Sequence, residues 1–388
     1  MRNTIAALFL LAAVGPGCKP TGIFGRKSPH EEYVKKLDKT DMEETPEGRQ
    51  WLAASKTALE DAQVVELPYR QNGYFGSDRP RALGLKFNAR HGEQLNFMLT
   101  KRSSVPFTLY VDIFKQEGEG TSLVYSADTI RSQFSYYVEE AGNYIVRLQP
   151  ELFRSGAYSL SASIGPSIGF PVSGNKVKTG SFWGASRGGG NRQHEGIDIF
   201  APKRTPVVAA ADGIVTGVKE GGLGGKVVWL KLPDKNITLY YAHLDKQLVR
   251  EGQEVKKGET LGLVGNTGNA KHTASHLHFG VYTSGGPIDP FPFVNPTVKT
   301  APAVPDKNMT NYLRVSKTQK IANGSNMLQA NTLLIPLAAN LVGYIAEMPD
   351  GKLVQVPFAS VESISQPVRS MVAVAESSEK ERKRRVRN

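Results

Sequence analysis

Between residues 68 and 164 an apolar side chain recurs at every second position, in six separate runs. They are Leu83, Leu85 and Phe87; Leu95, Phe97 and Leu99; Phe107, Leu109, Val111 and Ile113; Phe134, Tyr136 and Val138; Tyr144, Val146 and Leu148; and Tyr158, Leu160, Ala162 and Ile164. Successive side chains of a strand point to opposite faces, so this period is that of a half-buried strand and not of a helix. Gly-, Ser- and Glu-rich segments between the runs supply the turns. Residues 68–165 are therefore expected to form an antiparallel β-sandwich. The region carries no metal or nucleophile cluster. His91 stands alone in the turn-like "ARHGEQ" and reads as solvated, so the domain reads as a spacer or binding module.

A chain of 388 residues is too long for one ordinary domain. Its 39 glycines favour turn-rich β-structure over helical bundles, and the fold class expected is mainly β. Residues 19–67 hold two helix starts, Ser28-Pro29 and Thr45-Pro46, each a hydroxyl cap followed by proline in the first turn, and read as a helical, polar spacer. Residues 166–297 are Gly-rich. A Pro-rich linker, 298–308, leads to short strands at 309–368 that suggest a small SH3-like domain. The end, 369–388, is a basic disordered tail.

The formal charge of +12 suits a partner with negative charge, such as nucleic acid, a membrane surface or cell-wall polymer. No aromatic-basic interleaving supports nucleic acid. The chain's one cysteine, Cys18, excludes an intramolecular disulfide. It follows Arg2, the apolar run Ile5 to Val14, and Gly15-Pro16-Gly17. That run is too short to span a bilayer and suits the core of a signal peptide, and no other apolar run is long enough to cross a membrane. Residues 1–18 resemble a bacterial lipoprotein signal, although Gly15 stands where that class usually has leucine. The resemblance implies lipidation of Cys18, export to the cell envelope and membrane anchoring. The alternative is an ordinary cleaved signal.

Five of the chain's seven histidines fall within 166–297. In "SHLHFG", Leu277 and Phe279 point to one face of a strand, and His276 and His278 share the other. Upstream, "HEGID" places His194 and Asp198 four apart, again on one face of an extended segment. Between them, "YYAHL" sets His243 between two apolar neighbours. A zinc hydrolase needs three protein ligands and an open fourth position. His194 and Asp198 with one histidine of "HLH" would supply such a set, and the other could handle protons. His272, in the loop "GNTGNAKHTAS", reads as solvated. The glycine runs "RGGGN" and "GGLGG" lack the lysine-serine ending and strand-to-helix setting of a P-loop and read as hairpin turns.

Together, "HEGIDIFAPKRTPVVAAADGIVTGV", "GGKVVWLKL", "LYYAHLDKQLVREGQEVKKGETLGLVGNTGNA" and "SHLHFGVY" resemble the lysostaphin-type (LytM-like) zinc metalloendopeptidases of bacterial cell walls, in that family's order. The resemblance implies His194, Asp198 and His278 as zinc ligands, His243 and His276 as catalytic histidines, and a central antiparallel β domain over residues 166–297 with a groove over the metal. It implies hydrolysis of peptide bonds in peptidoglycan cross-links or bridges, with peptidoglycan as partner. Some relatives lack ligands and only activate other wall hydrolases. That alternative, a non-enzymatic peptidoglycan-binding activator, is disfavoured by the five intact positions. The family commonly has Gly-Pro before "HLHF", where this chain has Ala274-Ser275. Nothing in the pattern specifies an oligomeric state.

Overall fold

The structure, a computed structural model, describes residues 27–190, 192–321 and 327–365. The lipoprotein-like signal with Cys18 and the basic tail lie outside the described residues. The protein is mainly β: a sandwich and C-terminal strands that share one sheet, and a central region with sheets of its own.

All six alternating runs are strands. Leu83–Ala89, Gly142–Pro150, Leu109–Glu117 and Gly120–Ser126 build one sheet, with the short Gln63–Val64 at its edge. Tyr69–Phe75, Gly156–Pro166, Glu93–Arg102 and Gln133–Tyr137 lie consecutively in a second. Between the two sheets, Phe75, Leu83, Leu95, Ile113, Tyr144 and Leu148 are fully buried in one core.

The helices form where the caps require. At Pro29–Asp38, Ser28 and Glu31 exchange side-chain and backbone hydrogen bonds in a capping box. Thr45 caps Pro46–Glu60 through the amide of Gly48. Expected as a spacer, the helices instead dock on the sandwich. Trp51 is 1% exposed, packs with Tyr110 and Leu152, and donates its indole N–H to the Pro150 carbonyl at 2.8 Å. Burying so large an apolar ring holds the segment against the sheet.

The C-terminal strands also differ from the separate SH3-like domain expected. Leu333–Ala339 pairs with Tyr69–Phe75, Asn72 opposite Ala339 and Gly73 opposite Ala338, and so extends the sandwich sheet. That pairing covers what would otherwise be an open strand edge. Leu313, Val315, Leu334, Val354 and Val356 close a small core of their own beside it.

The central region is a sheet in the order Lys178–Ser181, Ile197–Phe200, His276–Thr283, Ile237–Leu244, Gly225–Leu232, Gly213–Gly221 and Glu254–Val255. One face carries Ile197, Ile199, Leu230, Leu239, Tyr241, Leu277 and Phe279, each fully buried. The other carries the histidines. Phe293, in the short helix Phe291–Val294, belongs to this core and also meets His91 of the sandwich at 5.3 Å between ring centroids. His91 is thus half-buried at the junction, not solvated as expected from its turn.

Candidate metal centre

Strand register brings the site together. In the antiparallel pair of Ile197–Phe200 with His276–Thr283, Asp198 lies opposite His278, while Ile197 and Phe279 face each other in the core. The alternation that buries Leu277 and Phe279 therefore turns Asp198, His276 and His278 to one common face. His194, just before the strand, joins them. Its Nε2 is 2.9 Å from Asp198 Oδ1 and 2.9 Å from His278 Nδ1, and that Nδ1 is 3.1 Å from the same oxygen. Gly196 in the "HEGID" turn is needed for this approach, since a Cβ there would sit 2.6 Å from the His278 ring.

His243 reaches the site differently. Tyr241, two residues earlier, points into the core opposite Phe279, and strict alternation would send His243 the same way. A register shift between Lys226 and Val228 sets Ala242 and His243 against the single residue Val227. At this bulge His243 takes a φ of 63°, a left-handed conformation uncommon for a non-glycine residue. The kink turns the ring to within 5.1 Å of His276 and 5.8 Å of His278, between centroids. Strain stored at one residue of a functional cluster is a recognised pattern.

Backbone carbonyls fix the tautomers. His194 Nδ1–H donates to the Phe182 carbonyl at 3.0 Å, His243 Nδ1–H to Thr267 at 2.9 Å, and His276 Nδ1–H to Ala274 at 2.8 Å. Each ring is left with Nε2 as its acceptor nitrogen. His276 Nε2 stands 4.0 Å from Asp198 Oδ1, outside the tight triangle. The second Asp198 oxygen accepts from Arg187 Nη2 at 2.7 Å.

Burial alone would raise the pKa of Asp198, but the adjoining His194 and His278 rings outweigh it and hold the carboxyl well below the usual range. Burial, with the neighbouring His276 and His278 rings, pushes His243 down to about 4, so it is neutral at ordinary pH.

His194, Asp198 and His278 form a group able to hold a metal ion. Ligands about 2.0–2.1 Å from a tetrahedral zinc lie about 3.3 Å apart, so the observed triangle need open only by a few tenths of an ångström. The donor set, two neutral imidazoles and a carboxylate, suits zinc. The structure brings together all five residues singled out in this region, and leaves His272 exposed on its loop. Sequence reasoning missed Arg187, and missed the carbonyls of Phe182, Thr267 and Ala274. A carbonyl partner has no side-chain signature. Arg187 adjoins Gly188–Gly190 in a hairpin whose glycines gave the only legible signal.

Residues 192–290 match the model of peptidase family M23. The chain carries a peptidase family M23 domain. Over 139 residues, 35% of this chain, it is 33% identical to the peptidoglycan DD-endopeptidase ShyA of Vibrio cholerae, of which the match covers 31%. It is 41% identical over 106 residues to the DD-carboxypeptidase/endopeptidase Mpg of Neisseria meningitidis serogroup B, covering 27% of this chain and 24% of that protein. Among solved structures, the catalytic domain of lysostaphin from Staphylococcus simulans matches at 32% identity over 30% of this chain and 92% of that domain, with a TM-score of 0.28. The chain spans 31% and 24% of the lengths of these two curated relatives. The M23 match contains His194, Asp198, His243, His276 and His278 and excludes the sandwich and the C-terminal strands.

Proposed function

We propose that the protein is a zinc-dependent endopeptidase that hydrolyses peptide bonds in peptidoglycan cross-links or bridges, and so remodels the cell wall. The observation that carries this is the triangle of His194 Nε2, Asp198 Oδ1 and His278 Nδ1, with two further imidazoles beside it inside an M23 domain. His194, Asp198 and His278 would hold the zinc. When bound, zinc polarises the scissile carbonyl and lowers the pKa of a bound water to near 7.

The remaining chemistry belongs to the chain. His243 and His276, each with Nδ1–H committed to a carbonyl, offer Nε2 to the open side. One accepts the proton of the attacking water and passes it to the leaving amine. The other, once protonated, donates to the developing oxyanion. His243 is neutral at ordinary pH, so its Nε2 lone pair is free.

Export and anchoring through a lipidated Cys18 would place the site at peptidoglycan from the membrane side. Two-phase partitioning of wild type and Cys18→Ser checks this: wild type should enter the detergent phase and the variant should not. For activity, the deciding experiment is mass spectrometry of muropeptides released from purified sacculi. Wild type should release cross-link-derived peptides, and chelation or His278→Ala should stop it. Release undiminished by both treatments would sink the proposal.

A further inference from the structure

We propose that Arg187 is a positioning residue that confines Asp198 to a single ligating oxygen, and thereby keeps the fourth position at the metal open. This rests on the zinc assignment above. An aspartate can ligate through one oxygen or two, and a second oxygen would occupy the place that water and substrate need. In the structure the two oxygens of Asp198 are already divided. Oδ1 faces His194 and His278, and Oδ2 takes a charge-assisted hydrogen bond of 2.7 Å from Arg187 Nη2.

The guanidinium is anchored independently of the carboxylate. The same Nη2 donates to Ser181 Oγ at 2.7 Å, and Ser181 lies opposite Asp198 in the neighbouring strand. Ser181 Oγ is also 3.4 Å from His194 Nδ1, so one cation links the outer sides of two ligands. Its own strand, Ser186–Arg187, pairs with Arg192–Gln193, Arg187 opposite Arg192. The Asp198 side chain is 11% exposed, which leaves little room for water to take over from Arg187.

Charge and orientation predict opposite signs, which makes the role separable. A guanidinium this close repels a divalent cation, so if it acted only as a charge its removal would tighten zinc binding. If it orients Asp198, its removal weakens binding, by about 10- to 100-fold for the loss of an outer hydrogen-bond partner of a ligand.

The test uses the full chain stripped of metal, with zinc affinity read by competition against a chromophoric chelator and coordination read from the visible absorption of the cobalt(II) form. Arg187→Gln should bind zinc about 10- to 100-fold more weakly. Its cobalt bands should lose intensity as a second carboxylate oxygen joins the ion, and kcat should fall with KM little changed. Arg187→Lys, which restores a charged donor without the planar fork, should recover part of the affinity. Zinc bound by Arg187→Gln as tightly as by wild type or more tightly, with a superimposable cobalt spectrum, would overturn the role. Should Arg187→Gln lose its thermal transition without metal, Ser181→Ala decides on the same two readouts: a smaller loss of affinity with the same spectral change is expected, and no change in either overturns the proposal. Wild type that binds no zinc would remove the metal centre itself, and this inference with it.

Discussion

The protein assembles two clusters of the same four residue types, one half-buried and one buried. At the metal centre they are His194 and His278, Asp198, Arg187 and Ser181. Under the N-terminal helices they are His30, Asp112, Arg147 and Ser55. In the second cluster donors and acceptors pair off, and Arg147 Nε is left over as a donor without a partner. His30 Nε2 pairs with Gln149 Oε1 at 2.7 Å, Gln149 donates to the Trp51 carbonyl, and Arg147 reaches both Ser55 and Asp112. The two oxygens of Asp112 each receive a donor, one from Ser126 and one from Arg147. At the metal centre the balance fails. Carbonyls have taken the Nδ1–H groups of His194, His243 and His276, so the acceptor Nε2 of His194 lies 2.9 Å from a carboxylate oxygen and that of His276 4.0 Å from the same atom. Such a surplus of acceptors in a half-dry site calls for a cation or for protons. Composition does not separate a structural polar cluster from a candidate site here; the count of donors against acceptors does.

The largest expected effect breaks the metal centre at its ligands. Asp198→Ala or His278→Ala should lose most of the one zinc expected per molecule, and peptidoglycan cleavage should fall to background. Elemental analysis alongside a muropeptide assay reads both. Equal zinc in wild type and variants would place the metal elsewhere.

A smaller loss is expected for the two histidines outside the triangle. His276→Ala and His243→Ala should each keep near-normal zinc and lose roughly 10²-fold or more in turnover, the low end for removing a proton-transfer or charge-stabilising group. The double variant should cost less than the product of the two if the pair acts as a unit. Loss of zinc from His276→Ala would move that residue into the ligand set.

How much of this was legible follows from where the signal lies. Alternation of apolar residues located the sandwich strands and the shared face of His276 and His278, because period 2 is a backbone property. Capping chemistry at Ser28 and Thr45 located both helices. Three things were not legible. The docking of those helices depends on Trp51 finding Tyr110 and Leu152 far along the chain. The fusion of the C-terminal strands to the sandwich depends on backbone pairing at Asn72 and Gly73, which has no side-chain code. His243 reaches the site through a bulge, and a bulge is an exception to the alternation by which strands are recognised.

The structural cluster can be broken without touching the chemistry. Asp112→Ala leaves Arg147, whose side chain is 9% exposed, without its carboxylate partner. Breaking a buried ion pair from one side costs about 3–5 kcal/mol. The expected result is a lowered melting temperature with unchanged zinc content and unchanged turnover per folded molecule. A melting temperature equal to that of wild type would show that water reaches Arg147 and that the cluster is not sealed.

The finest test of the contrast is acid. His30 is 4% exposed and stacks on Trp51 at 4.7 Å. Burial, and then the positive charge of Arg147, lower its pKa to about 4. In the unfolded chain it titrates near 6.5. Between those values the unfolded chain binds a proton that the folded chain refuses, so stability falls as pH drops from about 6.5 towards 4 and is level with respect to this group above and below that window. The full excursion is on the order of 3 kcal/mol. Carboxylates titrate in the lower part of the same range, so the difference between two proteins is the useful quantity. His30→Gln, which carries no proton at any of these pH values, should show a shallower decline in urea-unfolding stability between pH 6.5 and 4.5 than wild type, whatever its starting stability. Parallel declines would mean that His30 is protonated in the folded protein, and that the cluster beneath the helices has a spare acceptor after all.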